Sequence, residues 1–302
     1  DPLYAWAHPA LHKGDQIEQE YVFGKDGFPM DVSTWSQHGD YPRHTHDFSE
    51  IAIILQGTGT MEIDDQSFPF HSGDVFVLHG NRPHAYVDTH NLTLINITYL
   101  PQMVALDRFD SGILPGYQAL FVIGPALRKK KPYNRHLILT ADQMIQIKSL
   151  TDIMEQELHA KRPGFQLMAV GHFMILITFL SRFYTESEAP DAQKLLQLAS
   201  ALSYLEQHYT EDIDVEELIR IAHMSRRSFF RAFSEITHQT PLAYLLNLRV
   251  MKAVELLETT NKTITEIAFD CGFQDSNYFS RQFKKVMDFT PSEFQKKFKR
   301  TL

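Results

Sequence analysis

Side chains suited to holding a metal ion or a sugar lie close together in the first third of the chain. His44, His46 and Glu50 fall within Arg43-His44-Thr45-His46-Asp47-Phe48-Ser49-Glu50, and His84 follows. In an extended run, alternation puts His44 and His46 on one side of a strand and lets Glu50 join them two pleats further along. Neutral imidazoles with one carboxylate suit Fe, Mn, Zn or Ni. The same groups can hydrogen-bond hydroxyls, each His serving as donor or acceptor. A divalent metal site, an organic-ligand pocket and a structural cluster are therefore all open. Trp35, Gln56, Tyr86 and Asn96, in or beside β-prone runs, are further candidates to face a bound effector. No separate general acid or base stands out, which argues against a metal-dependent enzyme and for a chain that is not an enzyme.

A second constellation lies at the other end. Residues recur at an offset of 49 and then 50 positions: Val215/Ile264, Glu217/Glu266, Leu218/Ile267, Phe229/Phe279, Arg231/Arg281, Phe233/Phe283, Thr240/Thr290 and Pro241/Pro291. Each copy opens on a capping-box pattern, Asp214-x-x-Glu217 or Thr263-x-x-Glu266. A short helix follows, then a turn at His223-Met224 or Cys271-Gly272-Phe273, then a second helix capped by Ser225 or Asp275. That is a helix-turn-helix, twice. The Phe pair of each second helix faces the first helix, leaving Arg226, Arg227, Phe230 and Arg231, or Ser276, Asn277, Tyr278 and Arg281, largely outside. Arg and Asn can read base edges, and Ser and Tyr can bind bases or phosphates. A long helix over Pro241 to Leu257 joins the copies, so two recognition helices on one rod could enter successive major grooves of double-stranded DNA, roughly 34 Å apart. A bundle with a solvated Arg face is the plainer alternative, but chance rarely aligns so many residues.

These constellations need elements to carry them. Apolar runs at Ile51 to Leu55, Thr60 to Ile63, Val75 to Leu78, Ala85 to Val87 and Leu92 to Tyr99 are separated by Gly57, Gly59, Asp64-Asp65, Gly73-Asp74 and Gly80-Asn81. The spacing predicts a small antiparallel barrel or sandwich. From about 141 the period becomes helical, with Met144, Ile147, Leu150 or Thr151, Met154 and Leu158, and Phe165 to Phe183 predicts a more apolar helix. Thr185 to Lys194 lacks apolar periodicity and reads as a linker. The expected organisation is α+β: an N-terminal barrel with helices, 1–190, and an all-α domain, 191–302. Residues 1–34 read as either a lid or a disordered arm.

The formal net charge is −8, with 29 Lys+Arg against 37 Asp+Glu, which taken alone argues against nucleic acid. Its distribution removes the objection. Residues 1–190 hold 14 basic and 22 acidic side chains, whereas 191–302 hold 15 of each. Residues 275–302 carry seven basic groups and three acidic ones, a local basic face for phosphates. The run Arg128-Lys129-Lys130-Lys131 reads as a solvated loop. The single cysteine, Cys271, excludes an internal disulfide and a Cys-rich zinc site. The longest apolar run, Phe173 to Leu180, falls short of the roughly 18 residues a membrane span needs, which points to no membrane and a cytoplasmic location.

Thr265-Glu266-Ile267-Ala268 through Gly272-Phe273-Gln274-Asp275-Ser276-Asn277-Tyr278-Phe279-Ser280-Arg281-Gln282-Phe283-Lys284, then Thr290-Pro291-Ser292, resembles the signature of the AraC/XylS regulators. The resemblance covers about 196–298 and implies DNA binding through two helix-turn-helix units, contact with RNA polymerase, activation of transcription, and a homodimer paired through the helix after the barrel. Two departures fall in the first unit: Ile219 stands where the family usually has Ala, and His223 where Gly is common, which puts that turn in question. The order His44-x-His46-x-x-x-Glu50 with distant His84 also resembles the cupin superfamily, whose barrels hold a divalent metal in such residues. The AraC/XylS sensor is itself similar to a cupin barrel and usually takes a small effector without a metal, which favours an organic ligand with no cofactor. The run His44 to Glu50, the Gly57-x-Gly59 turn and Gly73-Asp74 look most like the rhamnose-responsive branch, implying a sugar, a deoxyhexose or plant-polysaccharide pentose. A barrel that only dimerises is a third reading, disfavoured by its polar, His-lined interior.

Overall fold

Two long strands, β4 (Ser49–Ile63) and β7 (His84–Tyr99), pair antiparallel along most of their length in the computed structural model, which describes residues 16–23, 27–37, 39–101, 109–127 and 137–298. Arg128 to Lys131, most of the N-terminal arm, and Lys299 and Arg300 lie outside the described residues. Gly57 and Gly59 do not end a strand as expected. Register shifts between Ile54 and Thr60 absorb them as bulges, and β4 runs on. Gly57 has φ +98°, and a Cβ there would sit 2.6 Å from the carbonyl oxygens of His90 and Asn91.

Around this pair, β2 (Met30–Gln37) and β3 (Tyr41–His46) add to β7, and β5 (Gln66–Phe70) and β6 (Asp74–Leu78) add to β4. Two short strands, β1 (Gln16–Ile17) on β3 and β8 (Leu137–Ile138) on β6, complete the described sheet. Asp64-Asp65 forms the expected tight hairpin, with Asp64 at φ 55°. Both sheet faces are apolar. Ala52, Ile54, Met61, Phe70, Phe76 and Leu94 share the inner cluster. Ile51, Ile53, Val75, Val77, Ile95 and Ile97, of the opposite parity, are also buried, which is why β6 reads as an uninterrupted apolar run.

Beyond the strands, a helical stretch Pro115–Tyr117 leads into a π-helical segment Gln118–Ile123 and then Gly124–Leu127. Arg82 ties this stretch to the β4–β5 turn by donating to the Pro125 carbonyl and the Asp64 carboxylate. Helix α1 (Ala141–Ala160) starts at a complete capping box, Thr140 with Gln143, and α2 (Phe165–Thr185) packs Phe173 on Tyr99, ring centroids 4.8 Å apart. By length and composition α2 passes as a membrane span, with a mean hydropathy of 1.5, contrary to the sequence reading that stopped the run at Leu180. One face of it is core: Ala169, Phe173, Leu176, Ile177, Leu180 and Tyr184 are buried.

The chain divides into two compact units, Asp1–Leu196 and Gln197–Leu302. The division falls inside α3 (Pro190–His208), where a linker had been expected over 185–194. Ala192, Leu195 and Leu196 are buried, so that segment continues a helix, and only residues 186–189 separate α2 from α3. The second unit is helical: α4 (Val215–Ile221), α5 (Arg226–Thr237), α6 (Pro241–Thr259), α7 (Ile264–Asp270), α8 (Ser276–Met287) and α9 (Pro291–Phe298). Thr240 caps α6 with Pro241 at its first turn, as the sequence indicates.

Gly57→Ala is expected to destabilise the first unit by about 1–3 kcal/mol, read as a lowered urea midpoint for loss of β-sheet signal.

Candidate functional site

Each recognition helix is aimed by two phenylalanines one turn apart. Phe229 and Phe233 on α5, and Phe279 and Phe283 on α8, are fully buried, their ring centroids 5.5 and 5.6 Å apart. Residues i and i+4 share a helix face, so the opposite face must turn outward. Arg226, Arg227 and Arg231 are exposed on α5, with Phe230 half-buried; Asn277, Tyr278 and Arg281 are exposed on α8, with Ser276 half-buried. Arg227, Arg231, Asn277, Tyr278 and Arg281 lie on these two faces, whereas Arg226, Phe230 and Ser276 stand at their edges, nearer the phenylalanine side. Arg226 also pairs with Glu216 and sits over the Phe230 ring at 5.4 Å, and Arg281 sits 5.9 Å from the Tyr278 ring centroid.

The two copies share their turn despite different residues. Gly272 has φ +80° and His223 φ 47°. The amides after them close equivalent bonds, Phe273 to Ala268 O at 2.9 Å and Met224 to Ile219 O at 3.4 Å. The first turn therefore keeps its shape, with a histidine in the left-handed region that normally suits glycine. Ile219 is 8% exposed and fits the core of the first helix-turn-helix. The first cap departs from the sequence reading: Asp214 accepts from Glu216 N at 3.1 Å, so of the two capping boxes expected in the repeat the one at Thr263 and Glu266 is complete. Ser225 and Asp275 cap α5 and α8 as expected.

Sequence reasoning passed over Arg249. It donates to the carbonyls of Tyr209 and Glu211, each at 2.6 Å, and its guanidinium lies 5.8 Å from the Phe273 ring centroid. A Cβ on Gly272 would meet the Thr210 carbonyl oxygen at 2.6 Å. The end of α3 is thus clamped onto the second turn, along an open cleft of about 880 Å³ that includes Tyr278 and Arg281.

In the first unit, the barrel wall gathers the histidines. His44 pairs with His84 across β3 and β7, and His84 with Ile63 across β7 and β4. Glu50 joins them by a different route from the one expected: a bend at Asp47-Phe48 ends β3, and Glu50 enters from β4. His46 Nε2 lies 3.0 Å from Glu50 Oε2, and His84 Nε2 3.7 Å from the same oxygen. Each ring is oriented from behind, its Nδ1 donating to a backbone carbonyl: His44 to Pro42 at 3.0 Å, His46 to Phe48 at 2.8 Å, His84 to Arg82 at 2.9 Å. Burial, and then the neighbouring His84, push the His44 imidazole down to about 3, so it is neutral at neutral pH. Burial pushes the Glu50 carboxyl up, but hydrogen bonds with His46 and His84 outweigh it and hold it below the usual carboxylate range.

Further polar groups share this inner wall. Cross-strand partners face the same way, and Ser33 pairs with Asn96, Asn96 with Ala52, and Glu50 with Thr98. Ser33 Oγ, Trp35 Nε1, Tyr86 OH, Asn96 Oδ1 and Thr98 Oγ1 are buried with no hydrogen-bond partner among the described residues. Trp35 and Tyr86 pack edge-on at 6.0 Å. Ser33 and Thr98 were not among the sequence candidates, although each stands two residues from one, Trp35 and Asn96. Gln56 is a correction. It lies between two register shifts and is exposed, because the bulge reverses the alternation that would have turned it inward.

Comparison with known proteins bears on both units. Residues 29–176 match the model of the AraC-like ligand binding domain, and residues 218–297 match that of a helix-turn-helix domain. The DNA-binding domain of AdpA, a global transcriptional factor crystallised with a target DNA, is 32% identical over 35% of this chain and 95% of that one, with a TM-score of 0.34. The chain belongs to the AraC family. It is a DNA-binding transcription regulator with an N-terminal ligand-binding domain, and not an enzyme. The HTH-type transcriptional activator RhaR of Escherichia coli (strain K12) is 28% identical over 279 residues, 92% of each chain. RhaR of Mannheimia succiniciproducens is 27% identical over 287 residues, 94% of this chain and 97% of the relative.

His223→Gly is expected to stabilise the second unit by up to about 1 kcal/mol, and Gly272→Ala to destabilise it by at least about 1–3 kcal/mol. Urea unfolding followed by helical circular dichroism checks both.

Proposed function

We propose that this regulator is a transcriptional activator switched by a sugar bound inside the barrel. The observation that carries the reading is the set of unpartnered polar atoms on an otherwise apolar wall, at Ser33, Trp35, Tyr86, Asn96 and Thr98 beside the histidine cluster. A buried polar group left unpaired costs about 1–3 kcal/mol. A ligand rich in hydroxyls, each both donor and acceptor, satisfies many such groups at once, and the aromatic faces of Trp35 and Tyr86 suit the apolar side of a sugar ring. The kinship with activators named RhaR agrees with a deoxyhexose or a related pentose.

At the DNA, Arg226, Arg227, Phe230 and Arg231 meet one major-groove segment and Ser276, Asn277, Tyr278 and Arg281 the next. The protein works in the bacterial cytoplasm as a homodimer and activates by touching RNA polymerase. The apolar stripe expected to pair subunits is spent within the chain, since Ile147, Thr151, Met154 and Leu158 are buried. Exposed Ile145 and Ile153 on α1, with Leu167 and Ile175 on α2, supply the pairing surface instead. Ligand acts by binding one state better than another.

A thermal-shift series with L-rhamnose, related deoxyhexoses and pentoses tests the effector. One sugar is expected to raise the midpoint by mass action, and Asn96→Leu to abolish that rise; no shift with any sugar contradicts the reading. For the DNA contacts, Asn277→Ala and Arg281→Ala are each expected to cost about 1–3 kcal/mol of specific binding with an unchanged thermal midpoint, measured by fluorescence anisotropy on a selected site against a scrambled one.

A further inference from the structure

We propose that His44 and His84 form a two-acceptor clamp for adjacent hydroxyls of the effector, so that the barrel selects an uncharged sugar carrying a vicinal diol. The proposal rests on the sugar reading above and assigns the atoms that select within it. A backbone carbonyl only accepts, so the contacts of His44, His46 and His84 with Pro42, Phe48 and Arg82 place a proton on each Nδ1. Each Nε2 is left to face inward. His46 is already committed there: its Nε2 lies 3.0 Å from Glu50 Oε2, and one proton between them closes that contact. His84 Nε2, in a fully buried side chain, has no hydrogen-bond partner among the described residues. His44 stands opposite it across β3 and β7, with ring centroids 4.1 Å apart and nitrogen atoms of the two rings within 4.8 Å. The pair presents two bare lone pairs, each held in place from behind.

What meets a bare imidazole nitrogen must bring a proton. A hydroxyl donates one and also accepts, which matches a wall where both kinds of group are unpaired: Trp35 Nε1 is a donor only, and Ser33 and Thr98 carry hydroxyls. Two hydroxyls on neighbouring ring carbons, each giving a bond of about 2.8 Å, reach two nitrogens so placed. A carboxylate or phosphate has no such proton at neutral pH, and it would face the Glu50 carboxylate, 3.7 Å from His84 Nε2. Arg82, the one buried Lys or Arg among the described residues, is spent on Asp64 and the Pro125 carbonyl, so it does not compensate an anion. An ammonium group donates but cannot accept, which would leave Trp35 Nε1 unanswered. The apolar part of the ring has its own neighbours. His84 and Tyr86 share a face of β7, the Tyr41 ring stands 4.9 Å from that of His44, and Trp35 stands 6.0 Å from Tyr86.

The test is calorimetric titration of the EDTA-treated full chain with L-rhamnose, L-fucose, L-arabinose and D-xylose, then with D-galacturonate and with the monodeoxyfluoro analogues of whichever sugar binds. Fluorine is close to a hydroxyl in size and has no proton to give. Fluorination at two adjacent positions is expected to weaken binding at least about tenfold at each, because either change leaves a buried nitrogen unpaired, and D-galacturonate is expected not to bind. In His84→Ala one of those two losses should vanish while the other remains, a coupling that a merely structural histidine would not show. The analogue series uses the wild-type protein and needs no variant to fold. A sugar that binds without an adjacent pair of sensitive hydroxyls overturns the clamp and leaves the sugar reading standing, as does D-galacturonate binding equally well. Binding that appears only when Zn²⁺ or Mn²⁺ is added back also overturns the clamp, since a metal ion would then hold the hydroxyls. No binding by any of the four sugars, with or without added metal, overturns both.

Discussion

Burial of a phenylalanine pair at i and i+4 on each second helix is the constraint from which the DNA-binding half follows. Phe229 and Phe233, and Phe279 and Phe283, have nowhere to go but the core, and large-to-small changes at such positions typically cost about 3–5 kcal/mol. Once that face is fixed, rotation of the helix about its axis is fixed as well. Arg227 and Arg231 of α5 and the Asn277, Tyr278 and Arg281 side chains of α8 then point outward as a geometric consequence. Caps at Ser225 and Asp275 set where each helix begins. Arg249 and Gly272 lock the second copy to the end of α3, so the outward face is held on a rigid support.

The barrel obeys the opposite economy. Its inner wall is mostly apolar, as a folded core requires, but it retains polar atoms that the wall itself does not pair. Natural interiors pair nearly all such groups, and this cluster of exceptions on one surface is what the proposed sugar reading rests on. The histidines differ from the rest in being braced through their far nitrogens, which keeps their inward atoms in fixed positions. On the proposed reading, recognition in this unit is prepared by the sheet rather than by loops.

Much of this was legible in the residues. The repeat at 49 and 50 positions, the Thr240-Pro241 start and the outward set on each recognition helix needed only periodicity and capping chemistry. His44, His46 and His84 were recognisable from type and spacing. Other features were hidden because they depend on register. Gly57 and Gly59 look like a turn, and only the β7 carbonyls close behind them reveal a bulge. That bulge sends Gln56 outward, while Ser33 and Thr98 join the inner wall only when β2 and β4 are laid on β7. The linker expected over Thr185 to Lys194 was misread for a similar reason: the polar stretch has no periodicity of its own, but burial of Ala192, Leu195 and Leu196 draws its second half into α3. His223 shows how tertiary context can hold a non-glycine residue at φ 47° when the bonds around it are conserved between the two copies.

The central claim is that two equivalent helix-turn-helix faces read DNA in tandem. Hydroxyl-radical footprinting of the full chain on a site selected from random DNA tests it most directly. The account predicts two protected clusters per protomer, about one helical turn apart, with Arg227→Ala weakening only one cluster and Asn277→Ala only the other. A single cluster, or one that both substitutions affect alike, would contradict it.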